Sequence, residues 1–295
     1  MKQNLKNLQE ESISIIRDTI SYSERPVVLF SIGKDSTGLL DLFKKAYYPS
    51  KIPVKFLHID TGWKFKEMIK FKFNIAKKYN IDLDTYQNKK DFKKVNPFHD
   101  SNYTDLMKTK ALKDALDKSD YDFVYGGARR DEEGSRSKEK ILSHRTNLHI
   151  WKPESQRLEP WHIFNLEKKE QESFRVFPLS NWTEINIWEY IKFTNLKGVP
   201  LYFAKERKVV VRNDEIFLYD DDRFKLMPDD KVKKLKVRFR TLGCYPLTAG
   251  VESKADNVDK IILELKKSRN SERAGRKIDL DRIGSMELKK REGYF

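Results

Sequence analysis

Short apolar runs alternate with amphipathic runs along the chain, and this alternation restricts the fold more than any other feature. The run Val27 to Phe30 leads directly into the polar turn Ser31 to Ser36, which opens an amphipathic segment. Short runs rich in β-branched residues are typical of strands, whereas apolar residues spaced by three and four are typical of helices. Strands and helices in alternation imply right-handed crossovers and a mainly parallel sheet. The sequence therefore predicts a doubly wound α/β fold.

The same patterns place the other elements of the main domain. Strands are predicted over residues 27–30, 53–59, 81–86, 121–125 and 174–179, and helices over 4–21, after Thr37, over 65–79, from near Thr104 and after the capping residue Thr183. The charged segment 130–172 lacks periodicity and is predicted to be a long connection over the sheet edge. Trp182 and Trp188 are predicted to pack in the core.

The pattern changes after residue 200. Two apolar runs, 209–211 and 216–219, flank the polar turn 212–215, which predicts a β-hairpin that residues 237–240 extend. We therefore divide the chain into a main domain, 1–199, and a smaller C-terminal α+β extension with a tail, 200–295. Arg238 and Arg240 are expected on one face of a strand, because strand side chains alternate.

Composition and charge exclude several classes of protein. No apolar run approaches the roughly 20 residues of a membrane span, and the N-terminus lacks the apolar core of a secretory signal, so we expect a cytoplasmic protein. The single Cys244 excludes an internal disulfide and Cys-pair zinc sites, so a metal held by protein ligands alone is not expected. The net charge of +15 arises from intermixed charges, as on a solvated surface, and nucleic-acid binding is the lesser alternative.

Three polar loops, 31–36, 58–62 and 126–133, each follow a predicted strand directly. Strands of a parallel sheet bring such loops to one edge, where open α/β sheets bind their ligands. Gly33, Lys34 and the free amides of the next helix suit the first loop to phosphate. Taken alone, this loop could also be an ordinary turn in which Asp35 or Ser36 caps the helix. The convergence of the three loops favours a nucleotide site.

The sequence of the first loop excludes two common phosphate-binding motifs. Asp35 follows Lys34 where a Walker A loop requires Ser or Thr, and the spacing of the glycines does not fit a dinucleotide fingerprint. The loop 31–36 instead resembles the pyrophosphate-binding loop of the ATP pyrophosphatase superfamily. Its sequence is Ser31-Ile32-Gly33-Lys34-Asp35-Ser36, and the common form of the superfamily loop is S-G-G-K-D-S. Ile32 departs from that general pattern.

Longer motifs narrow the resemblance. Residues 58–65, 126–133, 174–184, 237–244 and 284–290 closely resemble the small subunit of bacterial sulfate adenylyltransferase, in which Ile is usual at the position of Ile32. The resemblance extends from the first helix to Phe295. It implies an ATP pyrophosphatase-type fold, similar to the adenine nucleotide α-hydrolases, for residues 1–199.

The resemblance also implies a reaction, in which ATP and sulfate give adenosine 5′-phosphosulfate and pyrophosphate. It implies Mg²⁺ as cofactor and a separate, elongation-factor-like GTPase as the large subunit, because GTP hydrolysis drives the reaction in that family. We assign the departing phosphates to Ser31, Gly33, Lys34, Asp35 and Ser36, the sulfate and α-phosphate to Arg129, Arg130, Arg238 and Arg240, and the nucleotide to His58, Asp60, Gly126 and Gly127.

Other functions remain open at this point. Phosphoadenylyl-sulfate reductases share the loop but need a reactive cysteine near the C-terminus, and no cysteine follows Cys244, which we expect to be structural. Thiouridine-forming tRNA enzymes usually need paired cysteines. An FMN adenylyltransferase would use another acceptor, and a nucleic-acid binder would rest on the charge alone. The tail, residues 271–295, is expected to close over the site or to contact the partner.

Overall fold

The computed structural model describes residues 1–132 and 134–267, and the tail predicted to close over the site lies outside them. The α-helices are α1 (Gln3–Ile20), α2 (Lys34–Tyr47), α3 (Lys66–Tyr79), α4 (Lys89–Phe92), α5 (Ala111–Ser119), α6 (Gly134–Ser137), α7 (Glu184–Thr194) and α8 (Val258–Lys267). A π-helical turn, Asp105–Lys110, leads into α5, and 3₁₀ turns occupy Pro153–Ser155, Pro160–His162 and Pro200–Tyr202. None of the described helices combines the length and the apolar character needed to cross a bilayer.

Six strands form the main sheet, and five of them run parallel. They are β1 (Pro26–Leu29), β2 (Lys55–Ile59), β3 (Leu83–Tyr86), β4 (Phe123–Tyr125), β5 (Leu142–Arg145) and β6 (Ser173–Val176), in the order β3-β2-β1-β4-β6-β5. Only β5 within this sheet runs antiparallel to its neighbour, β6. The predicted doubly wound, mainly parallel α/β sheet is confirmed. The chain reverses direction across the sheet between β1 and β4, which is where such folds bind ligands.

The charged segment 130–172 is more structured than predicted. It contains β5, which pairs in register from Leu142 opposite Val176 to Arg145 opposite Ser173, and which forms the sheet edge. Two side chains then cover that edge, as a neighbouring strand would. Glu159 accepts hydrogen bonds from the amides of Ile141 and Leu142, at 3.1 and 2.7 Å, and Gln156 accepts one from the amide of His144 at 3.0 Å.

A second, antiparallel sheet forms the C-terminal extension. Its strands are β7 (Lys205–Arg212), β8 (Glu215–Leu218), β9 (Val232–Arg238) and β10 (Val251–Glu252), in the order β10-β9-β7-β8. The predicted hairpin is the pair β7 and β8, joined by Asn213 and Asp214, both with positive φ as a two-residue hairpin turn requires. Strand β9 ends at Arg238, so the prediction that it continues to Arg240 is wrong.

One hydrophobic core extends through both sheets and their helices. It joins Val28 and Phe56 of the main sheet to Val210 of the second sheet and to Ile261 of α8. The division at residue 200 stays a prediction. Trp182 and Trp188 are 1% and 0% exposed, which confirms that they pack in the core. Thr183 caps α7 in a reciprocal capping box with Asn186, as the sequence indicates.

Candidate active site

A cavity of about 690 Å³ lies at the carboxyl ends of β1, β2 and β4, within the size range of small-molecule sites. The three predicted loops meet there. They contribute Ser31, Gly33, Lys34, Asp35 and Ser36 from the first, His58, Ile59 and Thr61 from the second, and Gly126, Gly127, Ala128 and Glu132 from the third. The lining also includes residues from 97–108 and 241–248, of which only 241–244 belong to a motif quoted from the sequence.

The first loop is shaped to present its backbone to a ligand. Ile32 adopts φ 70°, a left-handed conformation that a β-branched residue rarely adopts, so this position favours the glycine of the general superfamily motif. Gly33 then caps α2, and its carbonyl accepts hydrogen bonds from Ser36 Oγ and Thr37 Oγ1, at 3.1 and 2.8 Å. The backbone N–H groups in the first turn of α2 have no intrahelical acceptor, and residues 34–36 line the cavity, as in other phosphate sites.

Tyr202 contacts this helix terminus. Its hydroxyl accepts a hydrogen bond of 2.8 Å from the backbone N–H of Lys34, and it lines the same cavity. Tyr202 follows α7 in a 3₁₀ turn, Pro200–Tyr202, far from the loop in sequence. No local pattern near Tyr202 indicates this contact, so it could not be predicted from the sequence.

Lys34 places a positive charge in the cavity wall although it is only 2% exposed. Its Nζ lies 3.4 Å from Asp35 Oδ2 and 4.0 Å from Glu184 Oε1. Lys64, Lys108 and Arg136 also line the cavity, together with the acidic residues Asp35, Asp100, Asp105 and Glu132. These four basic and four acidic side chains carry no net formal charge, so the suitability of the cavity for phosphate rests on the first loop and the N-terminus of α2.

The third loop approaches the first at backbone distance. A Cβ atom added to Gly127 would lie 3.1 Å from the carbonyl carbon of Asp35 and from the amide nitrogen of Ser36. Two residues later, Arg129 donates a hydrogen bond of 2.8 Å from Nε to Asp35 Oδ1. The predicted glycine and arginine thus fix the first loop from behind.

His58 is a buried, neutral member of the second loop. Burial and the nearby Lys64 and Lys72 lower its pKa to about 3. Its Nδ1 lies 2.8 Å from the carbonyl oxygen of Phe30, which can only accept, so Nδ1 carries the proton. Nε2 is therefore left as a hydrogen-bond acceptor.

Asp60 has a local structural contact. Its carboxylate accepts a hydrogen bond of 2.7 Å from the amide of Gly62, which has φ 76°. Asp60 lies outside the lining of the cavity, although Ile59 and Thr61 on either side belong to it.

The four arginines assigned to the sulfate and the α-phosphate lie outside the cavity lining, each beside an oxygen acceptor. Arg129 bonds Asp35, Arg130 donates to Asn181 Oδ1 at 2.7 Å, Arg238 donates to Glu264 Oε1 from Nε at 3.0 Å, and Arg240 donates to Glu184 Oε2 at 2.8 Å. The partners of Arg238 and Arg240 belong to different helices, α8 and α7. The sulfate role of these four residues stays a prediction.

The described residues provide no cluster of side chains that could bind a metal ion without other ligands. No group of three or more His, Cys, Asp or Glu side chains in the described ranges, 1–132 and 134–267, could hold a metal ion. Cys244 lines the cavity as a free thiol and donates to Thr61 Oγ1 at 3.4 Å. Its structural role stays a prediction.

Comparison with known proteins decides the family. The family model of the phosphoadenosine phosphosulfate reductase domain matches residues 25–250. Sulfate adenylyltransferase subunit 2 of Acinetobacter baumannii (strain AYE) is 52% identical over 295 residues, covering 99% of this chain and 97% of the relative. The corresponding protein of Mesorhizobium japonicum is 54% identical, covering 99% and 98%. The chain belongs to the sulfate adenylyltransferase subunit 2 family. This membership confirms the predicted resemblance to a family of nucleotidyltransferases.

Solved structures support the fold at low sequence identity. FMN adenylyltransferase of Candida glabrata superposes with a TM-score of 0.51 at 17% identity, covering 92% of this chain and 87% of that protein. The same protein in complex with ATP gives a TM-score of 0.51 at 16% identity, covering 92% and 87%. These matches confirm the predicted fold class.

Proposed function

We propose that this protein is the catalytic subunit of a sulfate adenylyltransferase, which converts ATP and sulfate into adenosine 5′-phosphosulfate and pyrophosphate. The observation that carries the proposal is the loop 31–36, which opens α2 into the cavity of a chain that is 52–54% identical to proteins of that name. A sulfate oxygen attacks the α-phosphorus, and the bond to the bridging oxygen of pyrophosphate breaks. Positioning and charge neutralisation dominate such a transfer.

The loop residues receive the leaving pyrophosphate. The amides of Asp35 and Ser36 would bind the β- and γ-phosphates, since the amide of Lys34 donates to Tyr202, and the hydroxyls of Ser31 and Ser36 lie in the same loop. Lys34 neutralises the charge that accumulates on the pyrophosphate as the bond breaks. Because Arg129 bonds Asp35 Oδ1, the backbone amide of Asp35 can bind the phosphates directly, whereas its carboxylate would reach them only through a bridging Mg²⁺.

The second and third loops suit the nucleoside. Gly126 and Gly127 leave the carboxyl end of β4 without side chains, so the nucleotide can approach the backbone there. Neutral His58 offers Nε2 as an acceptor, which fits a donor such as the exocyclic amino group of adenine. Asp60 supports this loop through its bond to Gly62.

Mg²⁺ would accompany ATP rather than occupy a site built by the protein. Mg²⁺ prefers oxygen ligands and is commonly bound by one or two carboxylates together with substrate phosphates. Asp35 and Glu132, the carboxylates that line the cavity in the first and third loops, fit that chemistry. The ion would supply charge neutralisation on the phosphates.

A GTPase partner would supply the driving force. A phosphosulfate is much less stable than the phosphoanhydride it replaces, so the reaction needs coupling. The sequence contains no Walker A motif and no second phosphate-binding loop of the 31–36 type, so we infer that a separate, elongation-factor-like large subunit hydrolyses GTP. The relatives' designation as subunit 2 supports a heteromeric complex. We also infer a cytoplasmic location.

Sulfate-dependent exchange of labelled pyrophosphate into ATP tests the proposal, with the purified chain alone and with its co-purified GTPase. Lys34→Ala is expected to lower exchange at least about 100-fold while the far-ultraviolet circular dichroism is unchanged. Lys44→Ala, on an exposed position of the same helix, is the matched control and should exchange like the wild type. Exchange retained by Lys34→Ala would refute the role of the loop.

A second acceptor is tested in the same assay because the FMN adenylyltransferase fold superposes over 92% of the chain. FMN replaces sulfate, and FAD formation is measured by fluorescence. We expect no FMN-dependent exchange. FMN-dependent exchange without sulfate dependence would assign the chain to the other activity.

A further inference from the structure

The hydroxyl of Tyr202 is the acceptor for the first backbone amide of α2. The N–H of Lys34, the first helical residue after the N-cap Gly33, donates to it at 2.8 Å. A backbone amide can only donate, so the hydroxyl oxygen is the accepting atom. A Cβ added to Gly33 would lie 3.4 Å from the same oxygen. The hydroxyl therefore lies directly against the N-terminus of the helix.

The first turn of α2 has three amides that precede its hydrogen-bonded ladder. The first intrahelical bond runs from the N–H of Thr37 to the carbonyl of Gly33, at 3.0 Å, so the amides of residues 34–36 have no acceptor within the helix. All three residues line the cavity. Because Tyr202 accepts from the first of these amides, the second and the third remain for an anion.

The packing around Tyr202 holds its hydroxyl in place. Tyr202 is 1% exposed, and its ring packs edge-to-face on the fully buried Trp188, with 5.5 Å between the ring centroids. Its backbone belongs to the 3₁₀ turn Pro200–Tyr202, in which the carbonyl of Leu201 accepts from the amide of Phe239 at 2.9 Å. A ring in such a close-packed site has little freedom to move. The Lys34 amide thus has a fixed acceptor.

The amide that Tyr202 engages affects where a triphosphate can bind. Adjacent free amides at a helix N-terminus would allow phosphate oxygens to bind at more than one position along the turn. With the Lys34 amide engaged, only the pair formed by Asp35 and Ser36 is open to them. The β- and γ-phosphates carry the α-phosphorus with them, and a displacement of about 1 Å from the productive geometry costs about 100-fold in rate.

We propose that Tyr202 sets the register of the triphosphate on the loop 31–36. It does so by engaging the Lys34 amide, which restricts the departing pyrophosphate to the amides of Asp35 and Ser36. Tyr202 is a positioning residue, since it acts through a backbone amide of the loop. This inference rests on the proposed function and deepens it, because the register determines where the α-phosphorus meets the attacking sulfate.

Tyr202→Phe removes the acceptor and keeps the ring. In complex with the GTPase, its maximal rate of sulfate-dependent exchange is expected to fall about tenfold or more, because the phosphates can shift toward Lys34. The Kd values for ATP and for Mg²⁺-pyrophosphate should stay within about threefold or decrease, since a phosphate oxygen gains the vacated amide as a donor. A rise of about tenfold in both Kd values would mean that the hydroxyl itself binds phosphate, and would overturn the proposal. An unchanged rate would overturn it as well.

Tyr125→Phe is the matched control. Tyr125 is 0% exposed, and its hydroxyl lies 2.8 Å from Thr19 Oγ1 of α1, so the variant also loses a buried hydroxyl contact, but one that does not involve the loop. Its exchange rate and both Kd values should equal those of the wild type. An equal loss of exchange in the two variants would show that any buried hydroxyl has this effect, and would refute the register.

Nuclear magnetic resonance observes the amide itself and needs no activity. Gly33-Lys34 is the only Gly-Lys pair in the sequence, so ¹³C-carbonyl glycine combined with ¹⁵N-lysine labels one amide selectively. When calorimetry shows saturation with Mg²⁺-pyrophosphate, this amide proton should keep its shift in the wild type, because the hydroxyl remains its acceptor. It should move downfield in Tyr202→Phe, because a phosphate oxygen becomes the acceptor.

The two readouts separate the register from the proposed function. An unmoved Lys34 amide in the pyrophosphate-bound wild type, together with an absence of sulfate-dependent exchange, would leave the register standing and refute the activity. Sulfate-dependent exchange with an equal downfield shift in the two proteins would retain the activity and refute the register. The wild-type spectrum decides this even if Tyr202→Phe fails to fold, since a large downfield shift there would mean that phosphate displaces the hydroxyl.

Discussion

Arg129 Nε lies 2.8 Å from Asp35 Oδ1, which ties the loop after β4 to the loop after β1. The Arg129 side chain is fully buried, whereas Asp35 is 20% exposed and faces the cavity. The contact thus joins two loops whose contacting residues are 94 positions apart in the sequence. Arg129, which the sequence motif predicts to bind the sulfate or the α-phosphate, therefore contacts the phosphate-binding loop and holds it in place.

Removing this buried guanidinium should destabilise the protein strongly. Arg129→Ala removes the buried half of the ion pair with Asp35, so we expect the free energy of unfolding to fall by about 3 kcal/mol in urea denaturation. Arg25→Ala is the control, because its ion pair with Asp120 is exposed and should contribute at most about 1 kcal/mol. Equal losses in the two variants would show that the Arg129 pair contributes no more than a surface pair.

The glycine at the contact between the loops should be essential to activity. A Cβ on Gly127 would lie 3.1 Å from backbone atoms of Asp35 and Ser36, so Gly127→Ala must displace the phosphate-binding loop by a few tenths of an ångström. We expect sulfate-dependent exchange to fall about tenfold or more. Gly134→Ala is the control and should exchange normally, because a Cβ added there would meet no atom of the described residues within 4 Å. Equal exchange by the two variants would contradict the close approach.

The strained isoleucine of the loop should nevertheless stabilise the fold. Ile32 adopts φ 70° at a cost of about 1–2 kcal/mol, but its side chain is 0% exposed, and burial contributes about 2–3 kcal/mol. Because glycine also leaves a cavity and gains entropy in the unfolded chain, we expect Ile32→Gly to lower the free energy of unfolding by about 2 kcal/mol.

Asn80→Gly is the control for Ile32→Gly. Asn80 has φ 49° at the C-cap of α3, but its side chain is exposed, so glycine there should change the free energy of unfolding by less than about 0.5 kcal/mol. Chemical denaturation of both variants makes the comparison. A stabilised Ile32→Gly would mean that backbone strain outweighs burial in this loop.

Most of the main sheet could be predicted because its signals are local. In β1, the apolar run is followed at once by the glycine turn, and the helix after that turn has regular spacing. Strand β5 was missed for the opposite reason. Its inward positions include Ser143 and Arg145, both fully buried, so the polar residues that usually mark a solvent face lie inside.

The residues of the candidate site could likewise be predicted only where the sequence signal is local. A strand-end glycine or lysine such as Gly127 or Lys34 can be selected from the sequence, since the topology brings such loops together. The acidic residue that pairs with a given arginine cannot be predicted in this way. Glu264 accepts a hydrogen bond from Arg238, and Glu184 accepts one from Arg240. Neither pairing follows from alternation or spacing, because both depend on how separate elements pack.

The buried His58 should make the protein less stable in mild acid. Its pKa is lowered to about 3 in the folded chain, against about 6.5 when unfolded, so below pH 6.5 the unfolded state binds a proton that the folded state does not. Stability therefore falls as the pH falls, by about 2 kcal/mol from this group at pH 5.

His58→Asn keeps a donor for the Phe30 carbonyl but cannot titrate, so its free energy of unfolding should fall less between pH 7 and pH 5. His149, whose pKa burial also lowers, contributes equally to both proteins and cancels in the difference. Parallel urea-denaturation curves for the two proteins across that range would show that His58 is not buried as a neutral group.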